Sequence, residues 1–307
     1  MVGYLSEQIR KWVVSAVDEN AVIFSIECLK GSTSSILHGV TLQIKDEINE
    51  LVVRQFDNKE WLKEEPDLAL HEGESLLLAT DKGLVAPKII AFEKSGEAGG
   101  NPLVLMSKLP GNVELKPLDM SKWLGGLAKE LVKIHAVDIK DFPWKYFRYN
   151  DANKVEVPSW SSVPDTWKKV IEILKRPRPK VNECFIHRDY HPTNVLWKNG
   201  RVSGVVDWVN ACIGPAGVDV GHCRWNLAML YDVEVADEFL SAYQVYAGKD
   251  FIYDPYWDLV SLVDVLFGPP EVYPGWEAFG FTGLTDKLME ERMDKYAVSL
   301  VEKADGK

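Results

Sequence analysis

The first hundred residues place their apolar positions in short blocks, bounded by polar and small residues. Ala21–Leu29 (AVIFSIECL) and Ile36–Ile44 (ILHGVTLQI) flank the stretch Lys30–Ser35 (KGSTSS), and Asp46–Asn49 leads into Leu51–Phe56 (LVVRQF). β-rich runs joined by a Gly-led loop and followed by a third run predict an antiparallel meander. Asp67–Lys82 carries apolar residues at helical spacing and stops at Gly83, which predicts a helix. Val85–Phe92 and Pro102–Met106 read as two further strands, separated by the Gly-rich Ser95–Gly100.

Beyond Leu109-Pro110-Gly111 the pattern turns mainly helical: Ser121–His135, Pro164–Leu174, Ala216–Tyr231, Ala236–Ala247, Pro255–Phe267 and Thr285–Glu302. One β island interrupts it, Val195–Trp197 and Val202–Val206, joined through Asn199-Gly200, the strongest short hairpin signal. The expectation is an α+β chain of two lobes. A five-stranded antiparallel N-terminal lobe (1–109) meets a mainly helical C-terminal lobe (110–307). The length of 307 residues suits two such units.

Charge narrows the function. The net charge of −11 repels phosphate backbones and anionic lipid, so neither nucleic acid nor a membrane surface is an expected partner. Cys28, Cys184, Cys212 and Cys223 form no CxxC pair, which points to free thiols rather than a disulfide framework or a structural zinc site. The stretch MVGYLSEQIRKW has charges where a signal peptide needs an apolar run, and no apolar stretch approaches the ~20 residues of a membrane helix. A cytoplasmic protein, monomer or homodimer, is expected.

Candidate chemistry concentrates in Phe185–Trp208, FIHRDYHPTNVLWKNGRVSGVVDW. His187, Asp189, Asn194 and Asp207 sit on and around the predicted hairpin, where polar loop residues emerge at its mouth. Two carboxylates and an amide oxygen are hard donors, the kind Mg²⁺ takes alongside water and phosphates. A carboxylate at Asp189 standing beside such ions could take a hydroxyl proton, which describes phosphoryl transfer.

The order His187-x-Asp189-x-x-x-x-Asn194, then an apolar strand ending in Asp207-Trp208, resembles the aminoglycoside phosphotransferase and choline kinase superfamily. That group shares this loop and its metal-binding Asp with protein kinases. The resemblance runs from about Ile23 to Tyr243. It implies a bilobal protein-kinase-like fold, with ATP or GTP and Mg²⁺ as cofactors. Asp189 would accept or orient the substrate hydroxyl, while Asn194 and Asp207 would hold Mg²⁺. His187 would brace the loop. Gly31, Ser32, Thr33 and Ser34 would lie over the phosphates, where small residues let N–H groups approach oxygen. Arg54 would stand where the family usually has Lys. Its partner would be Glu72, chosen over Glu74 by family register. Met106 and Lys108 would belong to the hinge that reads the base, and Asp219 would be a structural brace. Arg188 gives the loop an HRD form, yet no segment resembles a phosphorylatable activation loop. His191 reads as a loop histidine.

The aromatic and acidic stretches Tyr253–Asp264 and Tyr273–Phe281 hold Tyr256, Trp257, Asp258 and Trp276. These residues either line the acceptor pocket, stacking on a cationic or sugar-like substrate, or form the core of the helical lobe. The expected activity is Mg-dependent transfer of a γ-phosphate to the hydroxyl of a small molecule, an antibiotic of the aminoglycoside or macrolide type. The alternatives are a metabolic kinase for choline, an amino alcohol or a sugar, and a non-catalytic nucleotide-binding pseudokinase.

Overall fold

Five strands form one antiparallel sheet: β1 (Val22–Cys28), β2 (Ile36–Ile44), β3 (Glu47–Gln55), β4 (Ile89–Glu93) and β5 (Leu103–Ser107). Their order is β1-β2-β3-β5-β4. The structure is a computed structural model and describes residues 5–32, 34–139 and 141–306. β3 starts four residues before the predicted run, because Ile44 pairs with Glu47 across a two-residue turn in which Lys45 adopts φ 54°.

The near-continuous apolar character of β5 has a simple cause: both of its faces are covered. Leu103 and Leu105 join Leu51 and Val53 in a core closed by Ile9 and Val13 of α1 (Glu7–Val17). Val104 and Met106 face the other way, into a second core with Leu68, Leu76 and Ala79 of α3 (Leu68–Asp81). Alternation therefore puts Arg54 on the α3 side of the sheet, one residue past Val53. Neither α1 nor the short α2 (Lys59–Glu64) was foreseen. The apolar stripe of α1 is narrow, and its start depends on Ser6, whose Oγ accepts from the Ile9 N–H at 3.3 Å.

The helical lobe comprises α4 (Met120–His135), α5 (Pro164–Leu174), α6 (Ala216–Leu230), α7 (Val233–Ala247), α8 (Pro255–Asp264), α9 (Pro274–Ala278) and α10 (Asp286–Asp305). α6 is buried among α7, α8 and α10. Two small sheets accompany these helices. In one, β6 (Asn112–Val113), β8 (Val195–Lys198) and β9 (Arg201–Val205) run in the order β6-β8-β9, with Asn199 (φ 53°) and Gly200 (φ 69°) closing the predicted hairpin. The other pairs β7 (Glu183–Ile186) with β10 (Cys212–Pro215) and was not anticipated. α8 is shorter than predicted, ending at Asp264. Among the described residues no helix is long and apolar enough to cross a membrane.

Candidate active site

The loop after β7 is held from beneath. Asp219 of α6, with no exposed surface, accepts from the backbone N–H of His187 (2.8 Å) and of Arg188 (2.6 Å), and from His135 Nε2 (3.0 Å). His187 Nε2 donates to the Val206 carbonyl at 3.0 Å, tying this loop to the residue before Asp207. Arg188 and Asp207 both adopt the left-handed region (φ 66° and 67°), which non-glycine residues hold only when the surroundings impose it. The Arg188 guanidinium lies 4.1 Å from the Phe147 ring centroid and 4.2 Å from that of Tyr149, and it donates to the Phe147 carbonyl. Aromatic faces and a backbone carbonyl thus meet the Arg188 charge.

Asp189, Asn194 and Asp207 line a single cleft of about 390 Å³, with Gly31, Ser32 and Ser34 also on its wall. Thr33 lies outside the described residues. Asn194 Nδ2 donates to the Asp189 carbonyl (2.9 Å) and to its Oδ2 (3.2 Å), which turns the amide so that its own Oδ1 is left as an acceptor. His222 Nε2 lies 3.1 Å from Asp189 Oδ1, and His191 Nε2 lies 3.6 Å from it. Burial pushes the Asp189 carboxyl up, but the charge of His191 and the hydrogen bond from His222 outweigh that, and its pKa falls well below the usual range. Burial holds His191 down to about 4, so it carries that charge only in acid and near pH 7 is a neutral ring.

Arg54 ties the sheet to the site. Its Nη1 lies 2.9 Å from Glu72 Oε1 on α3 and 2.6 Å from Asp207 Oδ1, while its Nε donates to Ser35 Oγ at 2.9 Å. Burial lowers the Arg54 pKa, but Asp207 and Glu72 more than reverse this, and the guanidinium stays charged. Burial also pushes Glu72 up to about 7, against the pull of Arg54. α3 is fixed at this distance by His71, whose Nε2 donates to the Ala211 carbonyl at 2.6 Å and whose ring stacks on Trp144. The oxygen donors of Asn194 and Asp207 beside a phosphate-sized cleft are chemically suited to Mg²⁺.

Other expected residues are placed differently. Met106 is paired on both sides within the sheet, and the Lys108 N–H already donates to the Glu50 carbonyl at 3.0 Å. The Lys108 ammonium meets Glu27 of β1 (2.7 Å) and Glu50 of β3 (3.6 Å). None of the four acceptor candidates lines this cleft. Asp258 is buried in an ion pair with Arg224 Nη1 (2.5 Å) and accepts from Tyr296 (2.9 Å), Trp276 and Tyr256 are core residues, and Trp257 packs against α6. His222, Trp225 and Asn226 of α6 line it without belonging to a motif, and Tyr273, the first residue of the second aromatic stretch, lines it too. The available signal was helical spacing: His222 and Asn226 follow Asp219 at three and seven residues.

Residues 40–254 match the phosphotransferase enzyme family (APH). The chain belongs to that family. It is 25% identical over 167 residues to an aminoglycoside 3'-phosphotransferase of Enterococcus faecalis, covering 48% of this chain and 61% of the enterococcal protein. The matched stretch thus spans about three fifths of that relative. Among solved structures, choline kinase LicA of Streptococcus pneumoniae superposes with a TM-score of 0.62 at 17% identity, covering 97% of this chain and 99% of the kinase. A thermostable variant of the aminoglycoside phosphotransferase APH(4)-Ia, in ternary complex with AMP-PNP and hygromycin B, does so at 0.59 and 14%, covering 97% and 99%. The fold is therefore the bilobal, protein-kinase-like one of the aminoglycoside phosphotransferase and choline kinase superfamily.

Proposed function

We propose that the chain is a cytoplasmic, Mg²⁺-dependent kinase that moves the γ-phosphate of ATP or GTP to the hydroxyl of a small molecule, an antibiotic of the aminoglycoside or macrolide type. The observation that carries this reading is the convergence of Asp189, Asn194 and Asp207 on one cleft, beside the Gly31–Ser34 loop and next to the Arg54–Glu72 pair. Mg²⁺ held by Asn194 Oδ1 and the Asp207 carboxylate would neutralise charge on the phosphates.

The residues of the chain supply the rest. The Arg54 guanidinium, already shared between Glu72 and Asp207, offers its charge at the place where the α- and β-phosphates would lie. The small loop residues let backbone N–H groups reach phosphate oxygens. Asp189 keeps its carboxylate ionised and fixed by Asn194 and His222, so it can orient an acceptor hydroxyl and take its proton. A carboxylate held well below the ordinary range is a weak base. Its main work is therefore orientation, with the proton leaving late, as suits a loose phosphoryl transition state.

A metabolic acceptor is the second reading, and one observation favours it. Among the described residues the cleft wall holds no carboxylate besides Asp189 and Asp207, while Trp61, Trp225 and Tyr273 offer rings for a sugar face or a quaternary ammonium. Phosphate transfer from labelled ATP and GTP across aminoglycosides, macrolides, choline, amino alcohols and sugars decides between the readings. Transfer is expected to need Mg²⁺, and Asp207→Asn is expected to weaken Mg²⁺-nucleotide binding. Nucleotide binding with no transfer to any acceptor would instead identify a pseudokinase.

A further inference from the structure

His191 and His222 do little in this scheme beyond touching Asp189, yet their geometry is specific. His222 Nε2 lies 3.1 Å and His191 Nε2 3.6 Å from the same oxygen, Asp189 Oδ1, and one donor atom from each residue falls within 4.8 Å of the other two. Zn²⁺ bound tetrahedrally at ~2.0–2.1 Å has donor-to-donor edges of roughly 3.3–3.4 Å. The two edges to Asp189 bracket that length. We propose that Asp189, His191 and His222 form a binding site for a borderline-soft divalent transition ion, Zn²⁺ above all, with a fourth position left to water.

The surroundings support the donor set. Thr193 Oγ1 lies 2.8 Å from His191 Nδ1 and can accept its proton, which leaves the Nε2 lone pair facing Asp189. The rings are held edge-on: His191 against His222 (5.6 Å between centroids) and against Tyr273 (6.1 Å). His222 packs on Trp225 at 6.0 Å, and Asn226 Nδ2 donates to the His222 carbonyl at 3.1 Å. That same amide lies 3.3 Å from His222 Nε2, a contact the ion displaces. His222 is the more exposed of the two rings.

The cleft thus holds two donor sets of different character. Asn194 and Asp207 offer oxygen only and suit Mg²⁺, whereas two imidazoles and a carboxylate suit zinc and its neighbours. The ion would occupy Asp189 Oδ1, so it would block an acceptor hydroxyl while leaving Mg²⁺-nucleotide in place. That consequence rests on the proposed kinase function, but binding of the ion does not.

Co²⁺ serves as a spectroscopic stand-in for Zn²⁺, titrated into the full chain. The expected result is visible absorption bands of a low-coordinate ion, saturating near one equivalent, bleached by Zn²⁺ and indifferent to excess Mg²⁺. His222→Gln and His191→Gln, confirmed folded by circular dichroism, should each weaken Zn²⁺ binding more than ~100-fold. If His191→Gln does not fold, the less buried His222→Gln decides alone. Absence of the bands, or bands unchanged in folded His222→Gln, would overturn the site. In a second arm, Zn²⁺ should abolish phosphate transfer without displacing a fluorescent nucleotide, and His222→Gln should need correspondingly more Zn²⁺. Inhibition unaltered in that variant would break the link to Asp189. Should the chain transfer no phosphate at all, the spectra still decide the metal site by themselves.

Discussion

Removing the Arg54 side chain should destabilise the protein by an amount that depends on pH, because of what it leaves behind. Glu72 is 1% exposed, pairs with Arg54 through Oε1 at 2.9 Å, and has no partner for Oε2. Its pKa stands raised to about 7 even with the guanidinium beside it. A carboxyl whose folded pKa exceeds its unfolded value favours the folded state below the unfolded pKa. It loses that contribution as pH rises through about 7. At pH 8, one unit above that value, ionised Glu72 beside Arg54 lies about 1.4 kcal/mol below the protonated form. Arg54→Ala withdraws this preference, so the variant takes up a proton on Glu72 instead. At pH 6 the group is already largely protonated, and no such difference remains. The penalty of Arg54→Ala should therefore be about 1.4 kcal/mol larger at pH 8 than at pH 6. This adds to a pH-independent loss of packing against Phe56, whose ring centroid lies 4.9 Å from the guanidinium. Urea denaturation at the two pH values measures the difference, and Glu72→Gln as background should abolish it. Equal penalties at both pH values, or a difference that persists with Gln at position 72, would refute the reasoning.

Asp189→Ala should lose most turnover while nucleotide binding persists; transfer near the wild-type rate would remove Asp189 from its role. Asp258→Ala should lower stability in urea denaturation, since it removes the buried one of the two carboxylates that meet Arg224 and leaves only the more exposed Asp237 at 2.5 Å. Because Asp258 does not line the cleft, the KM for any acceptor should hold. His71 and His191 are both held down to about 4 by burial, so the unfolded chain binds protons near pH 6.5 that the folded chain refuses until about pH 4. Stability should thus fall by ~2 kcal/mol per histidine between pH 7 and pH 5, and denaturation curves that coincide at the two values would contradict it.

Much of this architecture could be read along the chain. The Asn199-Gly200 turn needs positive φ at both residues, a demand local chemistry announces by itself. β5 was legible as an apolar run because it is covered on both faces. Other elements were silent for the opposite reason. β7 and β10 are four residues each and exist because they pair across twenty-five intervening residues, a contact no local pattern encodes. The polar residues of α1 hide a stripe that only the sheet beneath makes worth burying.

The candidate site divides along the same line. HxDxxxxN and the later Asp could be picked out because their spacing is set by one short loop and one hairpin, within which each residue has few places to go. By contrast, acid among aromatic residues has one appearance in sequence and two fates in space. Asp258 neutralises Arg224, thirty-four residues away, inside the core, whereas His222, on the same helix as Arg224, reaches Asp189 on the cleft loop. Local spacing determined which groups could do chemistry; packing across the chain decided which of them face the cleft, because burial and charge pairing depend on neighbours that the order of residues does not reveal.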